Sequence, residues 1–162
     1  MPKIIGIVGR SNSGKTTLIE KLIKYYTNKQ IVISIIKHMK HDFEIDHKGK
    51  DTYRYREAGA FSSVITNDNN FAIISDNFDE MTPVDIANNY LTRSSLVIVE
   101  GYRDGDLPKI EVIGESSDKP LFNSGIRNIK ALVSDYKITS ELPVFKRDDI
   151  KNIANYIERI LS

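Results

Sequence analysis

Gly9-Arg10-Ser11-Asn12-Ser13-Gly14-Lys15-Thr16 has the spacing G-x-x-x-x-G-K-[ST], that of a phosphate-binding P-loop. Each residue type has a mechanical reason to be there. Gly9 leaves the preceding apolar run by a turn that a side chain would obstruct, and Gly14 lets the main chain approach a phosphate closely. The successive N–H groups of Ser11, Asn12, Ser13, Gly14, Lys15 and Thr16 form a nest for an anion at the positive end of a following helix. Lys15 adds a full charge directed at β- and γ-phosphates, and the Thr16 hydroxyl is available to a magnesium ion. Exposed helix-dipole terms contribute only about 0.3–1 kcal/mol each. The N–H groups and Lys15 must therefore supply most of the affinity. The expected ligand is a nucleoside triphosphate with Mg2+.

Two further groups of residues bear on that chemistry. The run Leu96-Val97-Ile98-Val99 reads as a buried strand and ends in Glu100. Such proteins need a strand-end carboxylate to hold magnesium through its water shell, and Glu100 supplies one. In open α/β sheets ligands gather beyond the carboxyl ends of strands, where Gly9, Lys37-His38, Glu100-Gly101 and Ser134-Asp135 all fall. The second group is Lys37-His38-Met39-Lys40-His41-Asp42, followed by Asp46 and His47. Three readings stay open for it. His38 and His41 with nearby carboxylates suit a transition metal. The same segment suits a switch loop sensing the γ-phosphate, with Asp42 or Asp46 reaching magnesium or the attacking water. It is also consistent with a solvated loop.

The elements that must position these groups follow from periodicity. Lys3–Val8 fits a strand buried on both faces. Lys15–Lys29 carries Leu18, Ile19, Leu22, Ile23 and Tyr26 at helical spacing, and Ile31–Ile36 reads as a second buried strand. Strand, helix, strand makes a parallel crossover. Thr52–Ala60 reads as a short helix. Phe61–Thr66 and Phe71–Ser75 flank Asn67-Asp68-Asn69-Asn70, whose tolerance of left-handed conformations predicts a hairpin. A short helix is expected over 84–92, strands over Lys109–Ile113 and Ile129–Val133, a mobile surface loop over 114–128, and a closing amphipathic helix from Ile150 to Leu161 capped by Asp148. The expected fold is a three-layer α/β, P-loop NTPase-like domain. Its sheet is mostly parallel with an antiparallel hairpin, and it forms one nucleotide-binding domain over residues 1–162.

Composition narrows the classes. The 162 residues, 40% of them hydrophobic, with a formal net charge of +1, are enough for a core and argue against disorder. The absence of cysteine excludes disulfides and thiolate metal sites. No apolar run approaches the roughly 20 residues of a membrane span, and Met1 leads directly into a strand with no signal-peptide pattern. A cytoplasmic protein without a membrane role is expected. Residues 1–60 hold 12 basic and 6 acidic side chains, a bias that suits an anionic ligand. Basic and acidic residues interleave without a recognition motif, so nucleic acid is not an expected partner.

The P-loop taken together with KHMKHDFEID, HKGKDTYRYREAGA, VIVEGYRD and PKIEV resembles the MobB family, the molybdopterin-guanine dinucleotide biosynthesis adaptor proteins. The likeness runs from residue 3 to about 135. It implies a small homodimeric GTPase-like protein that binds GTP, hydrolyses it weakly with Mg2+, and serves the attachment of GMP to the molybdenum cofactor beside the guanylyltransferase and other maturation proteins. Carried over by position, Ser11 to Thr17 hold the phosphates, Lys15 and Asp42 are the catalytic candidates, and Thr16 and Glu100 serve the metal. The Asn/Thr-Lys-x-Asp motif by which many GTPases read guanine is missing. Asp135 is the nearest substitute, a carboxylate able to accept from the guanine N1 and N2 protons. Neither a glutamine nor an arginine finger stands out, although Arg10 could serve, so slow hydrolysis is expected. The competing functions are a metallochaperone-type GTPase using the His38/His41 loop and a small-molecule P-loop kinase.

Overall fold

In a computed structural model, which describes residues 1–41, 43, 45–76, 80–115 and 119–162, the elements in chain order are β1 (Lys3–Gly9), α1 (Lys15–Asn28), β2 (Ile33–Lys37), α2 (Asp51–Glu57), β3 (Ser62–Thr66), β4 (Phe71–Ser75), α3 (Pro83–Tyr90), β5 (Leu96–Glu100), β6 (Lys109–Val112), β7 (Ile129–Val133), β8 (Val144–Phe145) and α4 (Ile150–Ile160). They group into two compact units, Met1–His38 with Thr82–Ser162, and Met39–Met81.

The first unit carries a six-stranded sheet in the order β2-β5-β1-β6-β7-β8, every neighbouring pair parallel. Parallel strands bury both faces, which is why β1 and β5 are continuous apolar runs. On one face Ile5, Ile7, Ile98 and Ile110 pack against Leu18, Leu22 and Tyr26 of α1 and Ile153 and Ile157 of α4. On the other, Val97 and Val99 meet Ala87 of α3, and Val8 and Leu132 meet Leu121. Helices on both faces of the sheet make the three expected layers. Strand β2 is half-exposed and not fully buried, because it forms the sheet edge. It also begins at Ile33 where Ile31 was expected. Strand β8 was not foreseen, and its two residues give no periodicity to read.

Two helix starts contrast. α3 has a capping box, Thr82 Oγ1 accepting from Asp85 N while the Asp85 carboxylate accepts from Thr82 N, with Pro83 in the first turn. α1 begins at Gly14 (φ 90°) with no side-chain cap, leaving first-turn N–H groups for a ligand. Asp148 does not cap α4. It pairs with Lys21 at 2.5 Å, and Asp149 takes the cap position, its carboxylate accepting from Asn152 Nδ2.

The second unit pairs β3 with β4 antiparallel, Ser62 opposite Ser75 and Thr66 opposite Phe71, beside α2. The hairpin stands as expected, for a different reason. Its loop has no positive φ. It is closed instead by Asn67 Oδ1 accepting from the N–H groups of Asn69 and Asn70, both at 2.9 Å.

Candidate nucleotide-binding site

The carboxyl edge of the six-stranded sheet collects the residues that matter. Strand β1 sits between β5 and β6, with Ile7 opposite Glu100 and Gly9 opposite Val112, so Glu100 emerges beside the start of the 9–16 loop. Lys37 is opposite Glu100 from the other side, and His38 N–H donates to the Glu100 carbonyl at 2.9 Å. Ser134-Asp135 follow β7, and Lys146-Arg147 follow β8.

Within the loop, Gly9 has φ 155°, and a Cβ there would fall 2.4 Å from the Val112 carbonyl and 2.6 Å from Ser13 Oγ. Asn12 (φ 59°) and Gly14 (φ 90°) are left-handed, the backbone alternation that makes an anion nest, while Ser13 N–H donates to the Arg10 carbonyl at 3.3 Å. Lys15 Nζ donates to the Arg10 carbonyl at 2.5 Å, curling over the loop. Burial holds the Lys15 ammonium below its ordinary pKa. Glu100 opposes that shift, while Arg103 and Lys37 add to it. Ser13 is buried, and its Oγ has no hydrogen-bond partner among the described residues. Ser11, Asn12, Thr16 and Thr17 are exposed, and Glu100 is half-buried. A concavity of N–H groups with a lysine above, a threonine hydroxyl at the helix start and a carboxylate alongside fits a magnesium-bound polyphosphate.

Several charges have partners that the sequence does not indicate. Arg10 Nε donates to the Lys119 carbonyl at 3.1 Å. Arg103, which the sequence did not single out, donates from Nη2 to the Gly9 carbonyl at 2.9 Å. Asp135 is engaged by Arg147, whose N–H donates to Oδ1 at 3.2 Å and whose Nε lies 3.4 Å from Oδ2. Asp42 lies outside the described residues. The His38 ring packs edge-on to Tyr102 with centroids 4.8 Å apart. Among the described residues no three His, Asp or Glu side chains gather as a metal site.

The family model described as Molybdopterin guanine dinucleotide synthesis protein B (MobB) matches residues 4–135. This chain belongs to the MobB family. A Haemophilus influenzae molybdopterin-guanine dinucleotide biosynthesis adapter protein is 34% identical over 164 residues, spanning 98% of this chain and 89% of that one. The Escherichia coli protein of the same description is 26% identical, spanning 97% and 92%. A crystal structure of molybdopterin-guanine biosynthesis protein B aligns with TM-score 0.72 at 27% identity over 98% of both chains. Bacillus subtilis MobB shares the fold at TM-score 0.77 over 100% and 99%. The α/β architecture expected from the sequence is thus the MobB architecture. Lys146 and Arg147 lie past the residues the MobB model matches.

The 114–128 segment also departs from its expected reading. Leu121–Asn123 forms a 3-10 turn with Leu121 buried. Glu111, 2% exposed on β6, holds it by accepting from Leu121 N–H at 2.5 Å and Phe122 N–H at 3.0 Å. Burial pushes the Glu111 carboxyl above its ordinary value of 4.5, opposed by those N–H groups and by Arg10 and Arg103. The folded state keeps this proton to higher pH than the unfolded chain does. Its contribution to stability therefore declines as pH rises through the interval immediately above 4.5. Glu111→Gln is expected to flatten that slope, read from urea midpoints across the interval. A slope left unchanged would assign it to other groups.

Proposed function

We propose that this chain is a cytoplasmic, GTP-binding adaptor in the assembly of molybdopterin guanine dinucleotide. In this reading it hydrolyses GTP slowly with Mg2+ and works beside the guanylyltransferase that attaches GMP. Family membership and the adaptor names of the relatives support the pathway. The observation that carries nucleotide binding is the 9–16 loop: left-handed Asn12 and Gly14 open its N–H groups at the uncapped start of α1, beneath Lys15.

The roles follow from position. Gly9 and Gly14 allow the close turns, and the N–H groups of Ser11, Asn12, Ser13 and Lys15 to Thr17 hold the phosphates. Thr16 and Glu100 are the residues that would hold magnesium, which neutralises charge on the phosphate oxygens. Lys15 offsets charge developing on the γ-phosphate as water attacks phosphorus and the bond to the β-phosphate oxygen breaks. Asp42 is the candidate for orienting that water. Asp135 would accept from guanine N1–H and N2–H. Arg10 is occupied by Lys119, and a supplied arginine is worth about 10³–10⁵ in rate, so unassisted turnover is slow.

The protein is proposed to act as a homodimer. Val64, Ile65, Phe71 and Ile73 of the β3–β4 hairpin are at least half exposed. A two-stranded sheet is marginal alone, and exposed apolar groups of this kind mark contact surfaces.

Calorimetric titration with GTP, ATP and GDP, each with and without Mg2+, tests the reading. GTP is expected to bind more tightly than ATP, and Mg2+ to strengthen GTP more than GDP. Equal binding of GTP and ATP would remove guanine from the proposal. Turnover of GTP at tens per second by the protein alone would remove the adaptor role.

A further inference from the structure

The proposed site leaves unexplained how a solvent-facing aspartate could read a base. The Asp135 side chain is 55% exposed, and the terminal torsion of a free aspartate is broad. Without restraint its oxygens would not stay aligned with two ligand N–H groups. We infer that Arg147 is the positioning residue that fixes Asp135 and ties it to the phosphate loop, setting selectivity for a base with two adjacent N–H donors. This rests on the reading of residues 9–16 as a nucleotide site.

The geometry is a clamp across three strand ends and one helix start. The Arg147 main-chain N–H donates to Asp135 Oδ1 at 3.2 Å, and the side chain adds an ion pair, Nε lying 3.4 Å from Oδ2. Nη2 donates to the Ile113 carbonyl at 2.6 Å and the Gly114 carbonyl at 3.2 Å, beyond the end of β6. Nη1 packs on Gly14, where a Cβ would come within 2.5 Å of it. Lys146 Nζ donates to the Asp135 carbonyl at 2.8 Å, pinning the main chain from the other side. One planar guanidinium thereby touches the helix start that would take the phosphates and the carboxylate that would take the base.

A carboxylate has about four acceptor sites; the Arg147 main-chain N–H takes one on Oδ1, and Nε stands at ion-pair distance from Oδ2. Asp135 also lines a cleft of about 390 Å³, together with Ser134, Tyr136, Phe145 and Lys146 among others. Two oxygens held side by side match guanine, which offers N1–H and N2–H together. Hypoxanthine lacks the second donor, xanthine replaces it with a carbonyl, and adenine offers neither in that arrangement. Lysine cannot take over the clamp, because an ammonium is a point charge without the rigid fork that spans these acceptors.

The test measures equilibrium binding of GTP, ITP and inorganic tripolyphosphate, with Mg2+, to wild type, Arg147→Ala and Arg147→Lys. Wild type is expected to prefer GTP over ITP by about tenfold or more, the worth of one hydrogen bond to a charged acceptor. In both variants the main-chain N–H of residue 147 still holds Oδ1, and loss of the Nε–Oδ2 pair is expected to lower the GTP/ITP ratio by about threefold or more, with tripolyphosphate weakened less than that. The inference is overturned if Arg147→Ala keeps the wild-type ratio, if Arg147→Lys restores it, or if all three ligands weaken by one common factor. Should Arg147→Ala not fold, Asp135→Asn decides. With Arg147 in place it should exchange GTP for XTP, and retention of GTP preference would sink the inference. A wild type that binds tripolyphosphate but does not distinguish GTP from ITP defeats the inference together with the guanine role of Asp135, and leaves the phosphate site standing. A wild type that ignores tripolyphosphate defeats the nucleotide site itself.

Discussion

Lys15→Ala is expected to weaken nucleoside-triphosphate binding by about a hundredfold or more while leaving the urea unfolding midpoint near that of wild type. Lysine at this position would meet both the β- and γ-phosphates, and charge-assisted hydrogen bonds are worth about 1.5–3 kcal/mol each, so losing two exceeds about 3 kcal/mol. The fold has little to lose. Within the fold Lys15 Nζ donates to the Arg10 carbonyl, an acceptor at an exposed residue that water can satisfy, and burial already works against the ammonium. The variant thus separates the ligand's need for the charge from the fold's. Unchanged GTP affinity by calorimetry, in a variant that still unfolds cooperatively, would overturn the assignment of the 9–16 loop.

What could be read from the sequence alone was what is local. The P-loop is a contiguous spacing whose glycines answer local conformations. Gly14 is left-handed at the head of α1, and Gly9 turns out of β1 at φ 155°. β1, β5 and α1 declare themselves by uninterrupted apolar runs and helical spacing. The residues missed act at a distance in sequence. Arg103 reaches Gly9, Glu111 reaches Leu121 and Phe122, and Arg147 reaches Asp135, Ile113 and Gly14. An arginine or glutamate bound for such a contact looks the same in sequence as one bound for solvent. The 114–128 stretch read as a loop because it is polar, yet Leu121 enters the core once Glu111 caps its turn. Asp148 offered a plausible cap to α4, but an opposite charge on α1, 127 residues away, took it.

Lys109→Met is expected to destabilise the fold by about 2–4 kcal/mol, the largest single effect on stability foreseen for the chain. A lysine opening a strand ordinarily points to water, but this one is fully buried. Its Nζ donates to the carbonyls of Gly105, Leu107 (3.1 Å) and Arg127 (3.0 Å). Burial pushes the ammonium below its ordinary pKa, while Asp106 and Asp104 offset that cost and Arg127 adds to it. Exchanging a buried charge for an apolar isostere is sometimes neutral, because the desolvation penalty leaves with it. Here the acceptors are main-chain carbonyls that remain when the donor goes, each costing about 1–3 kcal/mol if left dry. The stem matters too, since a Cβ on Gly6 of β1 would fall 3.0 Å from Lys109 Cγ, and methionine keeps that packing. The loss would also reach the proposed site. The segment that Lys109 anchors at Gly105 and Leu107 begins at Glu100 and carries Arg103, whose guanidinium holds the Gly9 carbonyl. Urea unfolding of the variant measures the effect. A midpoint equal to wild type would mean that the three carbonyls find water, and that the buried ammonium is tolerated by the fold without supporting it.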